Sequence, residues 1–253
     1  MMATLALLAS VLAAPVAPEV IKLSADRWCP YNCDPTSDHP GYMVEVAKAI
    51  FEPGYKVEFA EMNWARALEE TRKNRSQGVL GAAKTDAPDL IYPDLPFGIS
   101  TFCYYTRKAD TWMFAGYPSL EGVKLATVNG YSYGEGLDNY LKRYGSDPSH
   151  VDMIGGNDAL TVNLKKMQRD RVRVVVDDEY VVRYVLSLEP ALADDVRKAG
   201  CDTSDPIFVG FTTKHPQAAL WAKQFTDGLL KLRKSGQLTA ILARYGLTDW
   251  EAP

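Results

Sequence analysis

Two blocks in which short apolar runs alternate with amphipathic segments constrain this chain more than any other feature. In the first block, residues 20–23 are an apolar run. Met43, Val44, Ala47, Ile50 and Phe51 then recur at helical spacing, and residues 55–60 (YKVEFA) alternate as a strand does. Asn63 is placed to cap a second helix running from Trp64 to about residue 74, with Trp64, Ala67, Leu68 and Thr71 on one side. A third strand follows at Gly78. The order β-α-β-α-β calls for parallel strands joined by right-handed crossovers.

The second block repeats the order. Strands are expected at 124–128, 151–154 and 172–176. Ser132-x-x-Glu135 is a capping-box pattern opening a helix to about Tyr144. Asn157 is placed to cap a helix carrying Ala159, Leu160, Leu164 and Met167, and Asp177 and Asp178 stand before a helix over 179–188. Two β-rich runs, 101–107 (TFCYYTR) and 207–212 (IFVGFT), link the blocks outward and back. Helices over 217–235 and 238–245, ended by Gly236 and Gly246, close onto the first block. The first unit is therefore discontinuous.

The formal net charge is −4 and no long basic run occurs, which argues against a nucleic-acid partner. No stretch reaches 18 apolar residues, so no membrane span is expected. Residues 5–14 (LALLASVLAA) are apolar and uncharged, and small residues follow, as in a secretory signal peptide; residues 1–17 are expected to be removed on export. No basic residue precedes the apolar run, and no Cys follows it to carry a lipid anchor. Four cysteines, Cys29, Cys33, Cys103 and Cys201, allow three pairings. The short loop favours a Cys29–Cys33 bridge in an oxidising compartment. The Cys-x3-Cys spacing is not that of a thiol-redox motif. His39, His150 and His215 have no metal-ligand spacing, and no Gly-rich phosphate loop occurs, so no metal and no cofactor is expected.

Loops at the carboxyl ends of strands form the ligand crevice of open α/β sheets. The stretch 78–89 (GVLGAAKTDAPD) runs from a strand into such a loop, offering Lys84 and Thr85. Ser132, at a helix start, lies where free N–H groups favour a carboxylate; the alternative is that it simply caps its helix with Glu135. Tyr180 and Tyr184 are read as packing residues.

Several phrases in this order resemble the amino-acid-type substrate-binding proteins of ABC importers (family 3 extracellular solute-binding proteins). They are GYMVE at 41–45, NWARAL at 63–68, DLPFG at 94–98, LEGVK at 120–124, VNGYSYG at 128–134, NLKKM at 163–167 and RVRVVVDD at 171–178. The tail 225–245, with KSGQ at 234–237, resembles the family's closing helices. The resemblance covers about residues 20–248. It implies an α/β, two-lobed periplasmic-binding-protein type 2 fold. Each lobe would be a mostly parallel sheet flanked by helices, with two hinge strands between them. Lobe 1 would comprise 18–101 and 210–253, and lobe 2 would comprise 102–209. No appended catalytic domain is expected after Trp250.

The resemblance also implies a site. Trp28 and Trp64 match positions that sandwich the ligand, with core packing as the alternative role. Tyr131, Ser132 and Tyr133 occupy the ligand-facing loop, and Asp178 matches the position that holds an α-amino group, unless it only caps its helix. The family's carboxylate-binding Arg aligns with Asp89, and no Arg lies between Arg75 and Arg107. Three replacements stay open. Lys84 or Arg66 takes the clamp's place, the helix start at Ser132 binds the carboxylate alone, or the ligand is a cation or neutral solute held by aromatics.

The function implied is that of a periplasmic, monomeric binding protein. It closes on a small polar solute, an amino acid or related amine, for an ABC permease and ATPase. The alternatives are an enzyme of the same fold, such as a cyclohexadienyl-dehydratase-like lyase, and a solitary binding protein feeding a sensor.

Overall fold

The computed structural model describes residues 18–52 and 54–251. The signal-peptide stretch, residues 1–17, lies outside them. Eight strands form one sheet: β1 (Glu19–Ala25), β2 (Tyr55–Glu61), β3 (Gly78–Ala82), β4 (Gly98–Arg107), β5 (Leu125–Val128), β6 (Val151–Ile154), β7 (Val174–Asp178) and β8 (Val196–Phe211). The helices are α1 (Tyr42–Phe51), α2 (Trp64–Arg72), α3 (Glu135–Tyr144), α4 (Ala159–Gln168), α5 (Glu179–Leu188), α6 (Pro190–Ala193), α7 (Ala218–Ser235) and α8 (Gln237–Ala243). Among the described residues, no helix is long and apolar enough to cross a membrane.

The strand order is β2-β1-β3-β8-β4-β7-β5-β6. β1 pairs in parallel with β2 and β3, and β5 pairs in parallel with β6 and β7. Between these blocks, β8 and β4 run antiparallel to each other and to their neighbours β3 and β7. Two α/β units joined by two long strands thus follow the order expected from the alternating pattern.

The physical cause is burial on both faces. β5 and β7 are buried along their whole length, and β7 opens on three valines before its two aspartates, as strands covered by helices do. On the β1 side, Phe51, Phe97, Phe211, Trp221 and Phe225 fill the space under α1 and α7 and contact one another at ring distances of 4.5–6.4 Å. On the β5 side, Phe102, Tyr133, Leu137 and Val174 belong to a separate apolar cluster.

Three local expectations change, and one short helix is added. α3 begins at Glu135 with Gly134 as its cap, so no capping box forms; the Ser132 hydroxyl donates instead to Asp138, 2.7 Å away. Asn157 does not cap α4, because its side-chain amide donates to Glu61 at 2.7 Å. β8 spans 16 residues, beginning well before the apolar run at 207. Its polar first half has no strand periodicity of its own and is held by the ladder to β4. The short α6 begins with Pro190, a place where proline's missing N–H is harmless. Asn63 and Asp178, by contrast, do cap α2 and α5, accepting from Arg66 N and from Tyr180 N and Val181 N.

The cysteines form two pairs, Cys29–Cys33 and Cys103–Cys201. The second joins β4 to β8 at residues that face each other in the ladder. It closes a loop with a sequence separation of 98, against 4 for the first. Cross-linking stabilises mainly by restricting the unfolded chain, and more so for long loops. Replacing Cys103 and Cys201 by Ala is therefore expected to cost about 2–4 kcal/mol in urea unfolding. Replacing Cys29 and Cys33 by Ala should cost clearly less; equal losses would contradict the loop-length account.

Candidate functional site

The parallel blocks point the carboxyl ends of their strands at one cleft. From one side come Asp26 and Trp28 after β1, Trp64 after β2, and residues 83–86 after β3. From the other come Tyr131, Ser132 and Gly134 after β5. Ser100 and Phe102 of β4, and residues 205–208 of β8, form the floor. Together they line a cavity of about 530 Å³, within the range of small-molecule sites.

The loop after β1 is set by α1. The first amides of α1 have no partner inside the helix. Tyr42 N donates to the Pro30 carbonyl and Met43 N to the Tyr31 carbonyl, at 3.1 and 3.0 Å. Gly41 precedes them at φ 102°, and a Cβ there would collide with the Tyr31 carbonyl and the Asn32 backbone, so only glycine fits. The loop held this way stacks Trp28 on Tyr31 with ring centroids 4.1 Å apart. Trp28 in turn lies over Gly81.

Hydrogen bonds cross the cleft reciprocally. The Tyr31 hydroxyl donates to Asp178 at 3.0 Å, and the Tyr131 hydroxyl donates to Asp26. Asn157 donates to Glu61 nearby. Burial pushes the Asp26 carboxyl up to about 6 despite the Tyr131 bond that favours its charged form. Burial likewise raises Asp177 to about 8, with Asp178 beside it adding to the effect, and Asp178 to about 6. Asp86 and Asp205 are also raised by burial, Asp86 further by the charges of Asp138 and Asp205.

The residues singled out in the sequence divide into two groups. Trp28, Trp64, Lys84, Thr85, Tyr131 and Ser132 all line the cavity. Tyr133, Asp178, Arg66 and Asp89 do not. The Tyr133 hydroxyl accepts from Val128 N at 2.7 Å, and its ring packs on Phe102 in the core. Asp178 is fully buried and accepts from five donors: Tyr31, Ser100, Thr101 N, Tyr180 N and Val181 N. Arg66 is exposed on α2. Asp89 forms a two-bond ion pair with Arg72, at 2.9 and 3.0 Å. Tyr180 lies against the core, whereas Tyr184 is 36% exposed.

Residues not anticipated as site groups are Asp26, Asp86, Phe102, Glu135, Asp205 and Phe208. Asp26 and Asp86 carried a usable signal, since each lies in the loop that follows a predicted strand, after residues 20–23 and within 78–89. Asp205 and Phe208 carried none, because β8 enters the cleft only through its pairing with β3 and β4.

No protein-family model matches this chain, and no curated protein matches it. Many solved structures do resemble it. A histidine kinase sensor domain with similarity to periplasmic binding proteins shares 22% identity. It superposes with a TM-score of 0.73 over 90% of this chain and 96% of that one. A structure from glutathione import via GshT and the cystine ABC importer TcyBC of Streptococcus mutans shares 16% identity, with a TM-score of 0.74 over 92% and 98%. An ancestral arginine-binding protein bound to arginine also shares 16%, with a TM-score of 0.72 over 91% and 99%. These likenesses establish the fold as the two-lobed type 2 periplasmic-binding-protein fold.

The raised carboxyls make stability depend on pH in a definite direction. Asp26, Asp177 and Asp178 have folded pKa values above that of an unfolded Asp, about 3.9. The folded chain therefore binds more protons than the unfolded one in that interval. The stability this contributes is complete below about pH 4, and is lost as pH rises through about 6 and then about 8. Depressed carboxyls such as Glu70, lowered to about 2 by Arg75, act in the opposite sense only at lower pH. Tm of the ligand-free protein should fall between pH 5 and 8, and Asp177→Asn should flatten the upper part of that fall. A level profile across this range would refute the assignment.

Proposed function

We propose that this protein is an extracytoplasmic solute-binding protein that closes two lobes around a small polar solute carrying an amine. The observation that carries this reading is the composition of the cavity wall. Its residues come from both parallel blocks, across the two long strands that link them. A cleft built this way encloses its ligand when the lobes close about the linking strands.

The lobes are taken as residues 18–101 with 210–253, and residues 102–209. Residues 1–17 are taken as a leader removed on export to the periplasm. Delivery of the solute by a monomeric protein to an ABC permease is the role favoured by the sequence phrases at 41–45 and 128–134, and by the likeness to a protein of glutathione import. The likeness to a sensor domain supports the second possibility, a binding protein feeding a receptor.

One observation favours an enzyme. Asp26, in the cavity with a carboxyl raised to about 6, is poised as general acids and bases are. The rest of the lining argues against a dehydratase acting on an anionic acid. Four carboxylates, Asp26, Asp86, Glu135 and Asp205, face one ammonium, Lys84. None of the three histidines lines this cavity.

Binding to the native state raises stability by mass action, by roughly 2.7 kcal/mol when the ligand exceeds its Kd a hundredfold. A panel of amines, amino acids and neutral solutes at millimolar concentration is expected to contain at least one that raises Tm. Native mass spectrometry of freshly purified protein should detect the same class of solute. Trp64→Ala, which removes a wall of the cavity mouth, should weaken that ligand by about 2 kcal/mol. If no solute shifts Tm and no co-purified mass appears, the binding reading fails. Consumption of a prephenate-like acid by catalytic amounts of protein would instead establish the enzyme.

A further inference from the structure

We propose that the cavity takes an organic cation bearing no carboxylate group, an alkyl amine or alkylguanidine, in place of a zwitterionic amino acid. This inference rests on the solute-binding reading above and specifies its ligand class.

The sequence led one to expect ionic contacts to an amino acid at three places. Each is already consumed inside the protein. At the position expected to carry the carboxylate clamp stands Asp89, paired with Arg72 by two bonds outside the cavity. In the loop just ahead of α3, expected to bind a carboxylate, the protein's own carboxylate already takes two of the donors. Asp138 accepts from Tyr133 N at 2.9 Å and from the Ser132 hydroxyl at 2.7 Å. An external anion would have to displace it. Asp178, expected to hold the amine, is saturated by its five donors and walled off from the cavity.

What remains in the cavity selects for positive charge. Asp26 stands on one side, with Glu61 close enough to act on its charge. Asp86 and Asp205 stand near each other, and Glu135 opens α3 beside them. The single cation, Lys84, has its ammonium 4.4 Å from the Phe208 ring centre and 6.0 Å from that of Tyr92. It is exposed and offers a point charge, not the two-pronged fork that holds a carboxylate in fixed orientation. Trp28, Trp64, Tyr131 and Phe208 supply aromatic surface, which attracts cations and accommodates an alkyl chain. A ligand carboxylate would add a fifth negative charge to this lining, and a bare amine or guanidinium would offset some of those present.

The test uses matched pairs that differ only in the carboxylate. Agmatine is compared with arginine, and 1,4-diaminobutane with ornithine, by titration calorimetry on the full chain at one salt concentration. The decarboxylated member of at least one pair is expected to bind 100-fold or more tightly than its amino acid. Asp86→Asn and Asp205→Asn should each weaken that member at least tenfold, with circular dichroism melts checking that the variants fold. The wild-type comparison decides the matter even if they do not. Equal or tighter binding of arginine or ornithine overturns the inference and leaves the solute-binding reading standing. So does a co-purified or panel solute that is neutral or acidic while neither pair binds. Only the loss of all binding, with no co-purified solute, removes both.

Discussion

Two hydrogen bonds, each from a tyrosine on one side of the cleft to an aspartate on the other, hold the arrangement on which the site depends. Tyr31 reaches Asp178, and Tyr131 reaches Asp26. Each tyrosine lies in a loop at the carboxyl end of a strand, so the pairs join the ends of the two parallel blocks directly. The bonds form where water is scarce, and a buried carboxylate without partners would be costly there. Asp178 shows how far this goes, with one carboxylate serving as helix cap, cross-cleft acceptor and anchor for β4 through Thr101 N.

This arrangement changes the meaning of the residues around it. A carboxylate that satisfies five donors is a structural hub and has no lone pair to spare for a ligand amine. In the loop ahead of α3, Asp138 likewise takes the Ser132 hydroxyl and Tyr133 N. Asp89 has found a partner on α2. The carboxylates left facing the cavity are those with fewer internal donors, Asp26 accepting from Tyr131 and Asp86 from Ala83 N. Trp28, Trp64, Phe102, Tyr131 and Phe208 line the same cavity.

Much of the fold was legible in the order of residues. Apolar runs such as 174–176 and helical spacing such as that of Met43, Val44, Ala47 and Phe51 reflect which faces are buried, and burial leaves its pattern locally. Asn63 and Asp178 were legible as caps, because capping needs only a side-chain acceptor two or three residues from the amide it satisfies. The capping box at Ser132 misled because another acceptor, Asp138, lies one turn further on and is better placed. The first half of β8 was invisible because nothing in its own residues favours a strand; its partner β4 imposes it.

For the site, the boundary falls in the same place. The alternating order pointed to the loops after strands, with Lys84, Thr85 and Ser132 among them, and the family resemblance marked Trp28, Trp64 and Tyr131; all six line one cavity. The sequence also shows that no arginine lies between Arg75 and Arg107, where the resemblance implies a carboxylate clamp. Only the tertiary structure decided which carboxylates face the cavity and which are spent inside the protein. Asp26 and Asp178 each follow or end a strand and look alike in sequence. One lines the cavity, while the other is enclosed by five donors, three of them from segments 77–147 residues away. Whether a charge is available to a ligand depends on distant partners, and sequence spacing does not encode them.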